Sequence, residues 1–266
     1  MPPSRRRAST RRRSADAEGH VQRNLALWER QGKSYERRHA RVLGGRGAQA
    51  WGLWRTPERS VGLLGDVRGC DVLELGCGAA RWSYALRDDG ARPVGLDFSP
   101  TRLRQARDSG APRRAALPLV RANAERLPFR ADAFDLVFCD WGAMTFCDPA
   151  RTVPEVARVL RSGGRFVFSN SSPFRSVAQD RRTDRLSARL QYSYFDLGRL
   201  EFRDGEVNFQ LTTGRWIALF REHGLAVERL VESRPVEGQR SSYLKPSEER
   251  WARSWPIEWI WQLRRD

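Results

Sequence analysis

From residue 71 onward, short apolar runs alternate with helix-length amphipathic stretches. Residues 71–75 (DVLEL), 93–96 (PVGL), 118–121 (PLVR), 134–139 (FDLVFC) and 165–169 (RFVFS) read as strands, separated by helical segments around 80–87, 101–108 and 152–160. Runs this short and this apolar predict strands covered on both faces, and their alternation with helices predicts a parallel α/β sheet. With right-handed crossovers the sheet is open and doubly wound, and ligands bind such sheets beyond the carboxyl ends of the strands. Upstream, Leu25, Trp28, Tyr35, His39 and Leu43 recur at helical spacing within 24–43, with Gly32 as the expected break between two short helices. These form an N-terminal helical cap. Thr56-Pro57-Glu58 predicts a further helix start with Thr56 as N-cap. After the fifth strand the regularity fails over 171–210, which ends in a predicted hairpin, LEFRDGEVNFQ, turning at Asp204-Gly205. A helix over 213–223 closed by Gly224, a strand over 226–232 and an alternating segment over 255–263 complete the chain.

Composition narrows the class. The 266 residues are 40% hydrophobic and 10% aromatic, enough for one substantial core. No stretch reaches the roughly 20 apolar residues that cross a bilayer, and the Arg-rich N-terminus lacks the apolar segment of a signal peptide, so a cytoplasmic protein is expected. Cys70, Cys77, Cys139 and Cys147 form no CxxC pair, and His20, His39 and His223 are scattered, which predicts neither a disulfide framework nor a metal site. The formal charge of +16 invites a nucleic-acid reading. Thirteen basic against four acidic groups fall in residues 1–50, however, so the charge sits chiefly in an N-terminal segment, of which 1–18 reads as a disordered basic arm.

Five segments carry candidate chemistry. Val72-Leu73-Glu74-Leu75-Gly76-Cys77-Gly78-Ala79-Ala80-Arg81 runs a strand into a glycine turn and a helix, where backbone N–H groups and close backbone approach suit a ligand, although a tight structural turn has the same look. The dinucleotide fingerprint GxGxxG is not met, because Arg81 stands at its third glycine. Asp97 ends the second strand, where a carboxylate can accept from two ribose hydroxyls or can cap the helix that follows. Asn123-Ala124-Glu125 follows the third strand. Asp140-Trp141-Gly142 follows the fourth, and 155–167 supplies a helix, a glycine turn and a strand.

In this order and spacing, the five segments resemble the class I S-adenosylmethionine-dependent methyltransferases, close to the small-molecule "type 11" group, over 71–170. The resemblance implies a Rossmann-like, doubly wound, seven-stranded α/β sheet whose last strand is antiparallel. It divides the methyltransferase domain, 19–266, into core motifs over 71–170, an acceptor-recognition insertion over 171–212 and closing helix and strands over 213–266. It also implies that S-adenosyl-L-methionine is held by Glu74, Gly76, Cys77 and Gly78 at its methionine part, by Asp97 at the ribose, by Phe98 on one adenine face and by Asn123, Ala124 and Glu125 at the adenine edge. Asp140 and Trp141 would lie near the methyl group. Two departures stand out: Ala80 replaces a loop glycine, and Asn123 replaces an acid. Tyr35 and Trp54 are placed to fold over the pocket, or equally to pack the cap onto the core.

The expected activity is methyl transfer to a small-molecule acceptor whose O, N or C nucleophile is open. His39, His223 and Asp140 are candidate bases if the acceptor is a hydroxyl. Arg175, Arg181, Arg182, Arg185 and Arg189, followed by Tyr192, Tyr194 and Phe195, predict either a pocket for an anionic or aromatic acceptor or a solvated face paired with Asp180 and Asp184. The alternatives are an RNA methyltransferase or nucleic-acid-binding protein using the basic arm, and an NAD-dependent oxidoreductase.

Overall fold

A computed structural model of the chain describes residues 6–43, 49–110 and 116–266. Seven strands form one sheet: β1 (Asp71–Leu75), β2 (Arg92–Asp97), β3 (Leu119–Arg121), β4 (Phe134–Asp140), β5 (Leu160–Ser171), β6 (Leu225–Glu232) and β7 (Glu258–Arg265). Their order is β3-β2-β1-β4-β5-β7-β6. Strands β1 to β5 are parallel, and β7 runs antiparallel to both β5 and β6. This is the expected doubly wound sheet with its reversed last strand.

Burial on both faces explains the apolar runs. Leu73, Leu75, Val137, Phe166, Phe168 and Trp261 point to one face, beneath Val153, Val156, Trp216 and Phe220. Val72, Leu136, Phe138, Val167 and Ile260 point to the other, beneath Trp51, Leu63 and Trp82. The covering helices are α2 (Arg81–Asp88) on the second face and α5 (Pro149–Val159) and α7 (Thr213–Glu222) on the first, joined by α3 (Pro100–Gly110) and the short α4 (Ala143–Phe146). Each fully buried Leu, Val or Phe contributes roughly 1.5–3 kcal/mol. Strand β5 starts at residue 160, earlier than predicted, because Gly163-Gly164 forms a bulge within the strand rather than a turn before it: Phe134 pairs with Leu160 and Leu136 with Arg165.

The N-terminal cap differs from expectation. Helix α1 (Arg6–Leu43) is one continuous element, without a break at Gly32, and takes in most of the arm read as disordered. Arginine and alanine are strong helix formers and extend the helix outward, while residues 1–5 lie outside the described residues. Within the continuous helix, Gly32 stands where a Cβ would lie 3.0 Å from Arg102 Cδ, so the glycine marks the close approach of that side chain and not a helix break. Thr56 does not cap a helix. It pairs with Trp51 in a two-residue strand, and the single turn Glu58–Val61 that follows has Pro57 as its N-cap. Between β5 and α7 lie α6 (Pro173–Ala178) and two small hairpins, one pairing Arg199–Glu201 with Val207–Phe209 around the predicted turn. Among the described residues no helix is long and apolar enough to cross a membrane.

Candidate active site

A cavity of about 450 Å³ opens over the carboxyl ends of β1, β2 and β4. Helix α1 roofs it, held by polar contacts at several points along its length. The Asn24 amide donates to the carbonyls of Val207 (2.8 Å) and Phe146 (3.1 Å) and its oxygen accepts from Val207 N–H (2.9 Å). Glu29 accepts from the hydroxyls of Ser99 and Thr101, both at 2.5 Å. Glu36 pairs with Arg81 and Arg102.

On the floor, Glu74 is buried and accepts from the backbone N–H (3.1 Å) and hydroxyl (2.5 Å) of Ser83. Burial pushes its carboxyl up to about 8, with the Asp140 and Asp97 charges adding to the rise against the Ser83 bonds. Asp97 accepts from Gly78 N–H and Ser99 N–H, each at 2.9 Å, and burial raises it too. A carboxylate offers about four lone-pair positions, so capacity for a hydroxyl donor remains beside these backbone bonds. The glycines of the loop serve the protein first. A Cβ at Gly76 would stand 2.6 Å from the Ala143 nitrogen, and one at Gly78 would stand 2.5 Å from Arg102 Nη2. The N–H groups of Gly76 and Cys77 both donate to the Leu96 carbonyl, so the turn is pinned to β2. Ala80, at the departure from glycine, adopts φ +52° as N-cap of α2.

Cys77, Phe98, Asn123 and Ala124 also line the cavity. Glu125 does not. Its Oε1 lies 2.5 Å from His20 Nε2 on α1 and accepts from Asp148 N–H at 2.8 Å, so its carboxylate is spent holding the roof. Asn123 turns its carbonyl back to Glu125 N–H (3.0 Å).

At the β4 end, Asp140 accepts from Gly52 N–H (2.8 Å) and the Ser169 hydroxyl (2.5 Å), with Arg55 at 3.7 Å. Burial raises its pKa against the Arg55 charge. Trp141 adopts φ +54°, and its indole N–H donates to Glu258 (2.9 Å). Glu258 also receives the N–H groups of Leu53 and Trp54, and burial pushes it up to about 7. Tyr35 and His39 reach the cavity from α1 and form an aromatic cluster with Tyr243, which stacks on His39 at 4.2 Å. Burial lowers the His39 pKa, which keeps the imidazole neutral near pH 7, and Ser242 Oγ lies 3.2 Å from its Nδ1. Trp54 packs against Ala252 and Ile257 instead of covering the cavity, and His223 caps α7 away from it.

Of the five arginines over 175–189 in the insertion, Arg175 alone lines the cavity. Arg182, Arg185 and Arg189 are exposed, Arg181 stacks on Tyr192 at 3.8 Å, Tyr194 bonds Thr213, and Phe195 is exposed. Sequence reasoning missed Arg102, Glu258, Asn170 and Tyr243. Glu258 left one trace, an acid within the otherwise apolar run 255–261, which demands buried partners.

The family described as "Methyltransferase domain" matches residues 73–168. A demethylmenaquinone methyltransferase of Mycolicibacterium paratuberculosis is 40% identical over 119 residues, 45% of this chain and 48% of that protein. One from Lactococcus lactis is 31% identical over 124 residues, 45% and 48% of the two chains. The chain spans about half the length of the curated relatives it matches. The crystal structure of an S-adenosylmethionine-dependent methyltransferase from Mesorhizobium loti superposes with a TM-score of 0.66 at 26% identity, over 80% of this chain and all of that one. The donor set fits that cofactor. Glu74 and Asp97 are buried and Asp140 is half-buried on one cavity, each pushed up by desolvation, and a ligand carrying a sulfonium and an ammonium relieves that cost. Motif order, strand order and donor set together identify residues 73–168 as the core of a class I S-adenosylmethionine-dependent methyltransferase domain.

Proposed function

We propose that the protein transfers the methyl group of S-adenosylmethionine to a small-molecule acceptor. The observation that carries this reading is the joint placement of Asp97 and Glu74 on the same cavity as the Trp141, Tyr35 and His39 side chains. When bound, the cofactor supplies an activated methyl on sulfur. The chain's own part is to orient and to exclude water, since an in-line displacement gains most from holding the nucleophile in a near-attack pose. In this reading Asp97 takes the ribose hydroxyls, Glu74 with the loop Gly76, Cys77 and Gly78 takes the methionine end, and Phe98, Asn123 and Ala124 border the adenine. Asp140 and Trp141 form the floor beneath the transfer, with Tyr35 closing it from above. His39, neutral near pH 7, is the candidate base for a hydroxyl acceptor. A cytoplasmic setting belongs to the same reading, supported by four cysteines that are all free.

Isothermal titration tests it. S-adenosylhomocysteine binds and NAD does not, and Asp97→Asn weakens the first by roughly 10- to 100-fold. Binding of NAD in place of S-adenosylhomocysteine overturns the proposal. For the base, His39→Gln lowers kcat by about 100-fold or more with cofactor affinity retained.

A further inference from the structure

Beyond the cofactor residues, the cavity continues under the insertion, and this part of its wall carries polar groups with nothing to bond. Asn170, at the end of β5 and 2% exposed, has neither its amide nitrogen nor its amide oxygen in a hydrogen bond. Arg175 Nε, Thr145 Oγ1 and Asn208 Oδ1 are buried and unpartnered as well. All four residues line the same cavity. Leaving a buried polar group unsatisfied costs about 1–3 kcal/mol, so several on one wall are the mark of a site made for a polar ligand.

The strongest of these is Arg175. Its guanidinium lies over the Trp141 ring, 5.2 Å from the centroid, and makes no ion pair among the described residues. The carboxylates around it are engaged elsewhere. Asp184 accepts from Gln179 and faces Lys245 at 3.7 Å, and Glu206 accepts from the Asn208 amide at 2.7 Å. Glu248 accepts from Lys245 N–H, and Glu258 is taken by Trp141 and the 53–54 backbone. The guanidinium is thus fixed by stacking while its donors stay free, the arrangement suited to an oxyanion with two oxygens to present.

We propose that the wall formed by Asn170, Arg175 and Asn208 is the acceptor subsite, and that the acceptor carries an oxyanion, a carboxylate or a phosphate, bound by Arg175. The proposal rests on the methyltransferase reading for the word acceptor, while the anion site itself stands on the unpartnered groups. Asn170, with its amide N–H groups and its amide oxygen all free, reads a neighbouring hydroxyl or carbonyl of the same molecule, and Trp141 offers the apolar surface beside it.

Ligand-observed NMR with the full chain tests this, using benzoate, phenyl phosphate and neutral benzamide as probes, each with and without saturating S-adenosylhomocysteine. Benzoate or phenyl phosphate binds saturably, and the stronger of the two identifies the anion. Benzamide binds at least tenfold more weakly. Arg175→Gln lowers anion affinity roughly 10- to 100-fold, Arg175→Lys retains part of it, and S-adenosylhomocysteine affinity is unchanged in both, which also reports that the variants fold. Equal binding of benzamide and benzoate, no binding of either anion, or full anion affinity in Arg175→Gln overturns the subsite. Failure of S-adenosylhomocysteine to bind, with anion binding intact, overturns the methyltransferase reading instead.

Discussion

Glu74 gives the sharpest quantitative test, because its environment is fully specified. The carboxyl is buried beneath the glycine loop, bonded among the described residues only to Ser83, and pushed up to about 8 from an ordinary 4.5. A group whose folded value lies above its free value favours the fold at low pH, and that contribution is lost as pH rises through the folded value. In the ligand-free protein the loss begins near pH 4.5 and is complete a little above pH 8. With 1.36 kcal/mol per unit, the part falling between pH 5 and 8 is about 3–4 kcal/mol. Glu74→Gln keeps an oxygen to accept from Ser83 and cannot titrate. The variant therefore matches the wild type near pH 5 and exceeds it near pH 8, by about 10 °C in Tm for a chain of this length. Thermal unfolding across pH 5–9 without ligand reads this, and the difference between the two profiles cancels the other carboxylates. Parallel profiles refute the reasoning. A cationic ligand favours the ionised form, so S-adenosylmethionine binding near pH 7 releases a proton in the wild type, measurable as a buffer-dependent enthalpy, and does not in Glu74→Gln.

Other expectations follow from contacts already described. Gly76→Ala sets a Cβ against the rigid backbone of 142–143 at φ +70° and costs more than about 2 kcal/mol in chemical denaturation, whereas Gly78→Ala meets only the movable end of Arg102 and costs about 1 kcal/mol. Glu125→Ala leaves Asp148 N–H and His20 without their partner and destabilises by about 2–3 kcal/mol, with faster proteolysis within α1. Its S-adenosylhomocysteine affinity stays within a few fold, and a tenfold or greater loss would return Glu125 to the adenine edge.

How much could be read from the chain alone varied with the kind of force involved. Strands β1, β2 and β4 were legible to within a residue or two because both of their faces are buried, which forces consecutive apolar residues. The placement of Asp97 and Glu74 on the cavity was legible because an acid at or next to the end of such a run has few reasons to be there except to meet a ligand or a backbone donor. Glu125 was not, because nothing local signals that His20, 105 positions away, would claim its carboxylate. The same holds for the roles of the two glycines, set by the approach of residues 142–143 and of Arg102. Among five arginines of equal appearance, only the path of the chain through α6 and the hairpins turned Arg175 inward.

By itself, then, the sequence determined the parallel sheet, the position of the glycine loop and the carboxylates at the strand ends, all consequences of periodicity and short-range chemistry, whereas the reversed last strand was implied only by the resemblance to a known family. The tertiary structure decided which polar groups are spent on holding the protein together and which are left over. That division depends on partners distant in sequence, and the free donors of Arg175 and Asn170 emerge only once every neighbouring carboxylate has been assigned a partner.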